Sequence, residues 1–216
     1  MNKSLGHEKY KYAAVATDVV IFTVVRGELK VLLIKMKKKP YTNKWALPGG
    51  LVHAEESVDD AAKRILEEKT GVSKVYLKQL AAFGRVGRDP FGRVVSVAYF
   101  ALVSSDKLKL KTTEEYSDVA WFDVKKVTDL AYDHDEILRT AVSQLKGELM
   151  YSKISAGLLP TEFTLTDLQH LYEVILNRNI DKRNFRKKIQ QSGLIKAVGK
   201  QRKGTASRPA ALFKFI

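Results

Sequence analysis

No cysteine occurs among the 216 residues, so disulfides and thiolate metal sites are excluded, and aspartate, glutamate and histidine remain as candidate metal ligands. Long apolar runs are missing as well. Nothing approaches the about 18 consecutive apolar residues of a membrane helix, and the polar start MNKSLGHEKYKYAA lacks the apolar core of a signal peptide. These absences lead us to expect a soluble cytoplasmic protein with no membrane contact. Acidic residues are under-represented, with 24 Asp and Glu against 38 Lys and Arg, a net charge of +14. A scattered excess only solubilises, whereas a clustered one attracts polyanions. Here it is clustered: from Tyr151 to Ile216 there are 13 Lys and Arg against 4 Asp and Glu, and from Arg178 onward 12 against 1.

The length suits a domain of about 150 residues followed by a small one. The first part reads as strands. Val15 to Val25 and Leu29 to Ile34 flank the turn-like RGE, and VVSVAYFALV and VAWF add two β-branched, aromatic runs. Ser57 is placed to cap a helix whose Val58, Ala61, Ala62, Ile65 and Leu66 fall on one face, and a second helix fits Glu136 to Met150. The composition changes at YSKISAGLLPTEF, with Gly157 and Pro160, which divides the chain into 1–150 and 151–216. Beyond it, Thr166 can cap a helix carrying Leu168, Leu171, Tyr172, Ile175 and Leu176. A second helix follows from about Asp181 to Ser192, ended by Gly193, and LIKAV and AALFKF read as strands around a basic loop. Helix, turn, helix, basic hairpin is the order of a winged helix-turn-helix.

The stretch GLVHAEESVDDAAKRILEEKTGV sets Gly50, Glu56, Arg64, Leu66, Glu68, Gly71 and Val72 at the spacing G-x5-E-x7-R-E-U-x-E-E-x-G-U, with U aliphatic, after the lead-in WALPGG. This spacing resembles the signature of the Nudix superfamily. The resemblance implies an α+β fold, a mixed sheet with helices, and Mg²⁺- or Mn²⁺-dependent hydrolysis of nucleoside diphosphates linked to another moiety. Two departures bear on that chemistry. The acids at i, i+3 and i+4, which would converge on a cation from one helix face, are here Ile65, Glu68 and Lys69. At roughly 6 Å and an effective dielectric of about 20, an ammonium at 69 opposes a divalent ion by on the order of 5 kcal/mol. The expectation is therefore no metal, no cofactor and no catalytic residue, and restoring both glutamates is expected to raise any hydrolysis. Glu55, Glu56 and Glu67 are the acids left for an alternative site. The abandoned pocket remains a candidate ligand site, with Arg64, Glu68, Arg85 and Arg88 as its ligand-binding residues. Arg85, Arg88 and Arg93 fit phosphates or a solvated turn equally well. His134, between two aspartates, is read as a hydrogen-bonded helix start.

In DKRNFRKKIQQSG, Phe185 and Ile189 form an inward face. Lys182, Arg183, Asn184, Arg186, Lys187 and Gln190 are then the candidate DNA contacts, with Arg202 and Lys203 in the wing. Arg reads guanine and Asn or Gln adenine by paired hydrogen bonds, while flanking cations suit phosphates. Together with YDHDEIL and LLPTEFTLTDLQHLYEVIL, this order resembles the Nudix-related transcriptional regulators. That resemblance implies a homodimer on a palindromic double-stranded operator, as a repressor or an activator. It also implies a small-molecule effector in the first domain, ADP-ribose or a related nucleotide in NAD metabolism. Two competing readings stand beside it: a pentose-responsive regulator of sugar use, and an active Nudix hydrolase with a basic nucleic-acid-binding tail.

Overall fold

In β1 (Ala14–Val25) successive side chains point to opposite faces, yet every one from Ala16 to Thr23 is buried, so both faces of the sheet must be covered. The computed structural model describes residues 12–71, 76–104, 116–202 and 209–216 and shows how. β1 lies at the centre of a mixed sheet. It runs parallel to β6 (Val94–Leu102) and antiparallel to β2 (Glu28–Met36) and β4 (Gly49–Leu51). β3 (Trp45–Ala46) and β7 (Tyr116–Asp123) extend it beyond β2, and β5 (Leu77–Phe83) closes the other edge on β6. The mixed sheet expected from the sequence is thus present. The short strands β3 and β4, and β5, were not legible as apolar alternation.

Val19, Ile21, Leu32 and Tyr99 pack on one face with Ala62, Ile65 and Leu66 of α1 (Val58–Thr70). Val20, Phe22, Leu33 and Phe100 pack on the other with Ile137, Leu138, Ala141 and Leu145 of α2 (His134–Glu148). Ser57 caps α1, accepting the Asp60 N–H at 3.1 Å, and Gly71 ends it at φ 72°, the left-handed conformation that glycine adopts freely.

After α2 a 3-10 turn (Ile154–Leu158) lies against the sheet so closely that a Cβ on Gly157 would stand 2.7 Å from the Leu102 carbonyl oxygen. The expected cap at Thr166 is displaced by one pair of residues: α3 (Leu165–Leu176) is capped by Thr164, which forms a reciprocal capping box with Asp167. Thr164 also closes β8 (Phe163–Thr164), so the sheet, rather than the apolar periodicity, sets where α3 begins. α4 (Lys182–Gln191) starts at the Asp181 cap, and Gly193 follows it at φ 72°. β8, β10 (Ala210–Phe215) and β9 (Ile195–Arg202) make a three-stranded sheet, completing a winged helix. One hydrophobic cluster runs from Val20 through Leu149 and Phe163 to Phe185 and Phe213, so the two halves share a core. Among the described residues no helix is long and apolar enough to cross a membrane.

Candidate functional site

A cleft of 710 Å³ opens beside β1 and β4, lined by Ala16, Asp18, Gly49, Gly50, Arg88 and His134 among others. Its floor is a buried charged network. Arg88 donates to both oxygens of Asp133, at 2.8 and 2.6 Å, and to Asp18 Oδ2 at 3.2 Å. Ser96 Oγ donates to the same Asp18 oxygen at 2.6 Å. His134 Nδ1 accepts the Leu47 N–H at 2.9 Å, which leaves Nε2 to carry the hydrogen, 3.4 Å from Asp18 Oδ1. Burial alone would push the Asp18 carboxyl up. The His134, Ser96 and Arg88 partners outweigh it and hold Asp18 at about 2. Burial likewise works against the Arg88 cation, and its two carboxylates more than compensate, raising its pKa.

The cleft wall is aromatic. Tyr132 packs at a tilt between Tyr41 and His134, with ring centroids 4.4 and 5.1 Å away, and burial pushes its phenol up to about 12. Its φ of 57° is unusual for a bulky residue, the kind of local strain that collects at binding sites. Lys38, Phe91 and Arg93 are exposed at the mouth. Gly49 permits the tightest approach: a Cβ there would lie 2.1 Å from Asp18 Oδ1 and 3.0 Å from the Thr17 carbonyl oxygen. Gly49→Ala is expected to cost about 1–3 kcal/mol by urea denaturation, with a matching loss of ligand affinity, because Asp18 must leave its partners.

The box residues lie on α1 and its lead-in loop. Arg64 donates to Glu56 at 3.0 and 2.6 Å, to the Leu51 carbonyl oxygen at 3.3 Å and to Glu68 at 3.5 Å. Hydrogen bonds from Arg64 and from the His53 N–H lower Glu56 to about 2. Ile65 is buried under β1, and Lys69 turns inward with its Nζ 4.5 Å from the Tyr116 ring centre. This donor set does not suit a divalent cation: one carboxylate is bound by Arg64, one position is hydrocarbon and one is an ammonium. Among the described residues no group of three or more His, Asp or Glu side chains comes together in a metal-binding arrangement.

The predicted ligand residues therefore separate. Arg88 lines the cleft, though as a buried ion-paired floor and not a solvated turn, and Arg93 stands at the mouth. Arg64, Glu68 and Arg85 are absent from the cleft lining, and Arg64 staples the box loop to α1. Asp18, Ser96, Gly49 and Asp133 were not anticipated. For Asp18 and Ser96 the signal lies in VATDVVIF and VVSVAYF, where Thr17 with Asp18, and Ser96, interrupt strands buried on both faces. Helix α2 begins at His134, ahead of the expected Glu136, and Asp135 holds that start, accepting the Leu130 N–H at 2.9 Å, while His134 faces the cleft.

Both depressed carboxylates give the same sign of pH dependence. Asp18 and Glu56 fall from their ordinary 3.8 and 4.5 to about 2 in the folded protein. Their stabilisation is complete above the unfolded values and is lost as pH falls from about 4.5 toward 2. Urea midpoints are expected to drop through that window, and to drop less steeply in Glu56→Gln.

At the other end of the molecule, α4 buries Phe185 and Ile189 and exposes Lys182, Arg183, Asn184, Lys187 and Gln190. Arg186 is only half exposed and leans on α3, its Nη2 3.5 Å from Thr166 Oγ1. In the wing, Arg202 is held by Asp167 at 3.0 Å and Lys200 by Glu162 at 3.0 Å. Lys203 lies outside the described residues.

A mixed sheet between two helices, with the box on one of them, and a winged helix sharing its core define a Nudix domain joined to a DNA-binding module. Comparison with known proteins agrees with that division: the NUDIX domain family matches residues 15–141, and the NrtR DNA-binding winged helix domain family matches 155–215. The chain belongs to the NrtR-like family of Nudix-related transcriptional regulators. It is 37% identical over 209 residues to the ADPR responsive transcriptional repressor NtrR of Acinetobacter baylyi, covering 95% of this chain and 83% of that one. Shewanella oneidensis NrtR, crystallised with a 27mer DNA, superposes with a TM-score of 0.80 at 33% identity, covering 94% of this chain and 93% of that one. The NUDIX domain of the same NrtR, crystallised with ADP ribose, superposes with a TM-score of 0.58 at 33% identity, over 66% and 94% of the two chains. An ADP-ribose pyrophosphatase of Methanocaldococcus jannaschii is 33% identical over 130 residues, 60% of this chain and 73% of that one.

Proposed function

We propose that this protein is an ADP-ribose-responsive transcriptional repressor whose first domain, 1–150, binds the effector and whose second, 151–216, binds a palindromic operator as a homodimer in the cytoplasm. The observation that carries this reading is likeness along nearly the whole chain, through both domains, to a repressor of that kind. Physical features support it at each end. The cleft has room for a nucleotide-sugar, cations Lys38 and Arg93 at its mouth for a diphosphate, and aromatic surface for a ring. Helix α4 presents guanidinium, amide and ammonium groups on one exposed face, with its apolar side buried.

Binding without turnover follows from the box. Glu56 is engaged by Arg64, and positions 65 and 69 offer a metal no oxygen. The competing hydrolase reading draws on the surviving Glu56, Arg64 and Glu68 and on the likeness of the first domain to a pyrophosphatase. One experiment separates the two. Operator duplex, selected from a random-sequence pool on the full-length protein, is titrated with ADP-ribose, NAD and ribose, with and without Mg²⁺. Release of DNA by intact ADP-ribose is expected. Turnover with Mg²⁺ near the enzyme median of about 10 per second would favour the hydrolase, and release by ribose alone would favour a pentose effector.

A further inference from the structure

We infer that Tyr172 is a positioning residue that fixes the DNA-facing helix to the ligand domain, and that α2 carries the state of the cleft to it. This rests on the effector reading above. Helix α2 has 15 residues, so at a rise of about 1.5 Å per residue it spans about 22 Å. Its two ends lie at the two places that must communicate. Asp133, its N-cap, and His134, its first residue, belong to the charged floor of the cleft through Arg88 and Asp18. At the far end the carbonyl of Leu149, the C-cap, accepts the hydroxyl of Tyr172.

Tyr172 stands on α3, fully buried, with its ring edge-on to Phe185 at 5.3 Å between centroids. Phe185 is one of the two inward side chains of α4, so its seat sets where Arg183, Asn184 and Lys187 point. The turn joining α3 to α4 is stapled. Gln169 donates to the Ile180 carbonyl oxygen and the Ile180 N–H donates to Glu173, each at 3.0 Å. A shift of α2 at Leu149 therefore reaches α4 as a change of tilt and is not absorbed in a loose connection. A further cross-domain hydrogen bond among the described residues, Lys125 to Asn177 at 2.6 Å, is exposed, where water replaces a lost partner at little cost. The Leu149 carbonyl is buried with Tyr172, away from solvent, where a lost hydroxyl costs more.

The test uses the full-length protein, the selected operator duplex and ADP-ribose. In the wild type, ADP-ribose is expected to weaken operator binding about 5- to 150-fold. Tyr172→Phe keeps the ring on Phe185 and removes only the hydroxyl. It is expected to bind ADP-ribose within about twofold of wild type, yet to change operator affinity by less than about threefold when the ligand is added. By reciprocity, its ADP-ribose affinity should also become nearly independent of DNA, a readout that a merely structural residue would not move. Phe185→Leu, which keeps the burial and loses the aromatic edge, should behave alike, and exposed Tyr151→Phe should respond as wild type. A wild-type response in both Tyr172→Phe and Phe185→Leu overturns the inference alone. So does a lost response explained fully by lost ADP-ribose affinity. A wild-type protein whose operator binding ignores ADP-ribose overturns the effector reading and the inference with it.

Discussion

Alanine at Lys182, Arg183 and Lys187 together is expected to abolish operator binding at physiological salt while leaving the fold intact. All three side chains are exposed on α4, and among the described residues none is paired to an acid, so their removal opens no cavity and strands no carboxylate. Their loss is expected to remove counterion release, with the logarithmic salt dependence falling by about 0.9 for each phosphate no longer neutralised, and the base contact proposed for Arg183 would cost about 1–3 kcal/mol more. In the homodimer on a palindrome proposed above, the effect is expected to double. Arg183→Ala alone should relax preference at one operator position, read from single-base variants, whereas Lys187→Ala should weaken all sequences alike. Arg202→Ala provides the contrast. Its guanidinium is already held by Asp167, so the substitution frees a capping-box carboxylate and adds unscreened negative charge beside the DNA, with a smaller effect on the salt slope. Unchanged affinity in the triple variant would remove α4 from the interface.

What was legible in the sequence follows from how local its cause is. The faces of α1 and α4 could be read because Ile65 and Leu66, or Phe185 and Ile189, recur at helical spacing and the cap Ser57 lies next to what it caps, while Asp181, read as the start of α4, is its cap. The box could be read because its residues share one loop and helix. The cleft could not, because Asp18, Arg88 and Asp133 meet from three separate elements, with partners 45 and 70 residues apart. No periodicity encodes that meeting, although a charge inside a doubly buried strand announces that some partner exists. Helix α3 was misplaced at its start because Thr164 and Thr166 are equally good caps locally. The pairing of Thr164 with Leu212 of β10 decides between them. Lys69 was placed correctly in sequence and wrongly in space: its ammonium leaves the acidic face and packs over Tyr116, a strand away.

That placement reverses one expectation. Restoring glutamate at Ile65 and Lys69 together is expected to unfold the first domain more readily, not to recover hydrolysis. Ile65 is 1% exposed, packed with Val19, Ile21, Leu32 and Leu66, so a glutamate there buries a carboxylate among hydrocarbon. Lys69 is 4% exposed, with its ammonium against the Tyr116 ring, and a carboxylate in its place meets the negative face of the same ring. Neither new acid finds a cation on α1, since Arg64 is already shared between Glu56 and Glu68. The double variant should lose at least about 3 kcal/mol in urea denaturation, most of it from Ile65→Glu, with Lys69→Glu alone costing less. Added Mg²⁺ distinguishes two ways of losing a metal site. Where only the ligands had changed, the cation would restore stability by binding the folded form alone, and ADP-ribose would be cleaved. Where the surrounding packing has also closed over the site, as the burial of both positions indicates, Mg²⁺ should leave the denaturation midpoint unmoved and ADP-ribose intact. A stable double variant that hydrolyses ADP-ribose with Mg²⁺ would mean that two substitutions, and not a repacked helix face, separate this chain from an enzyme.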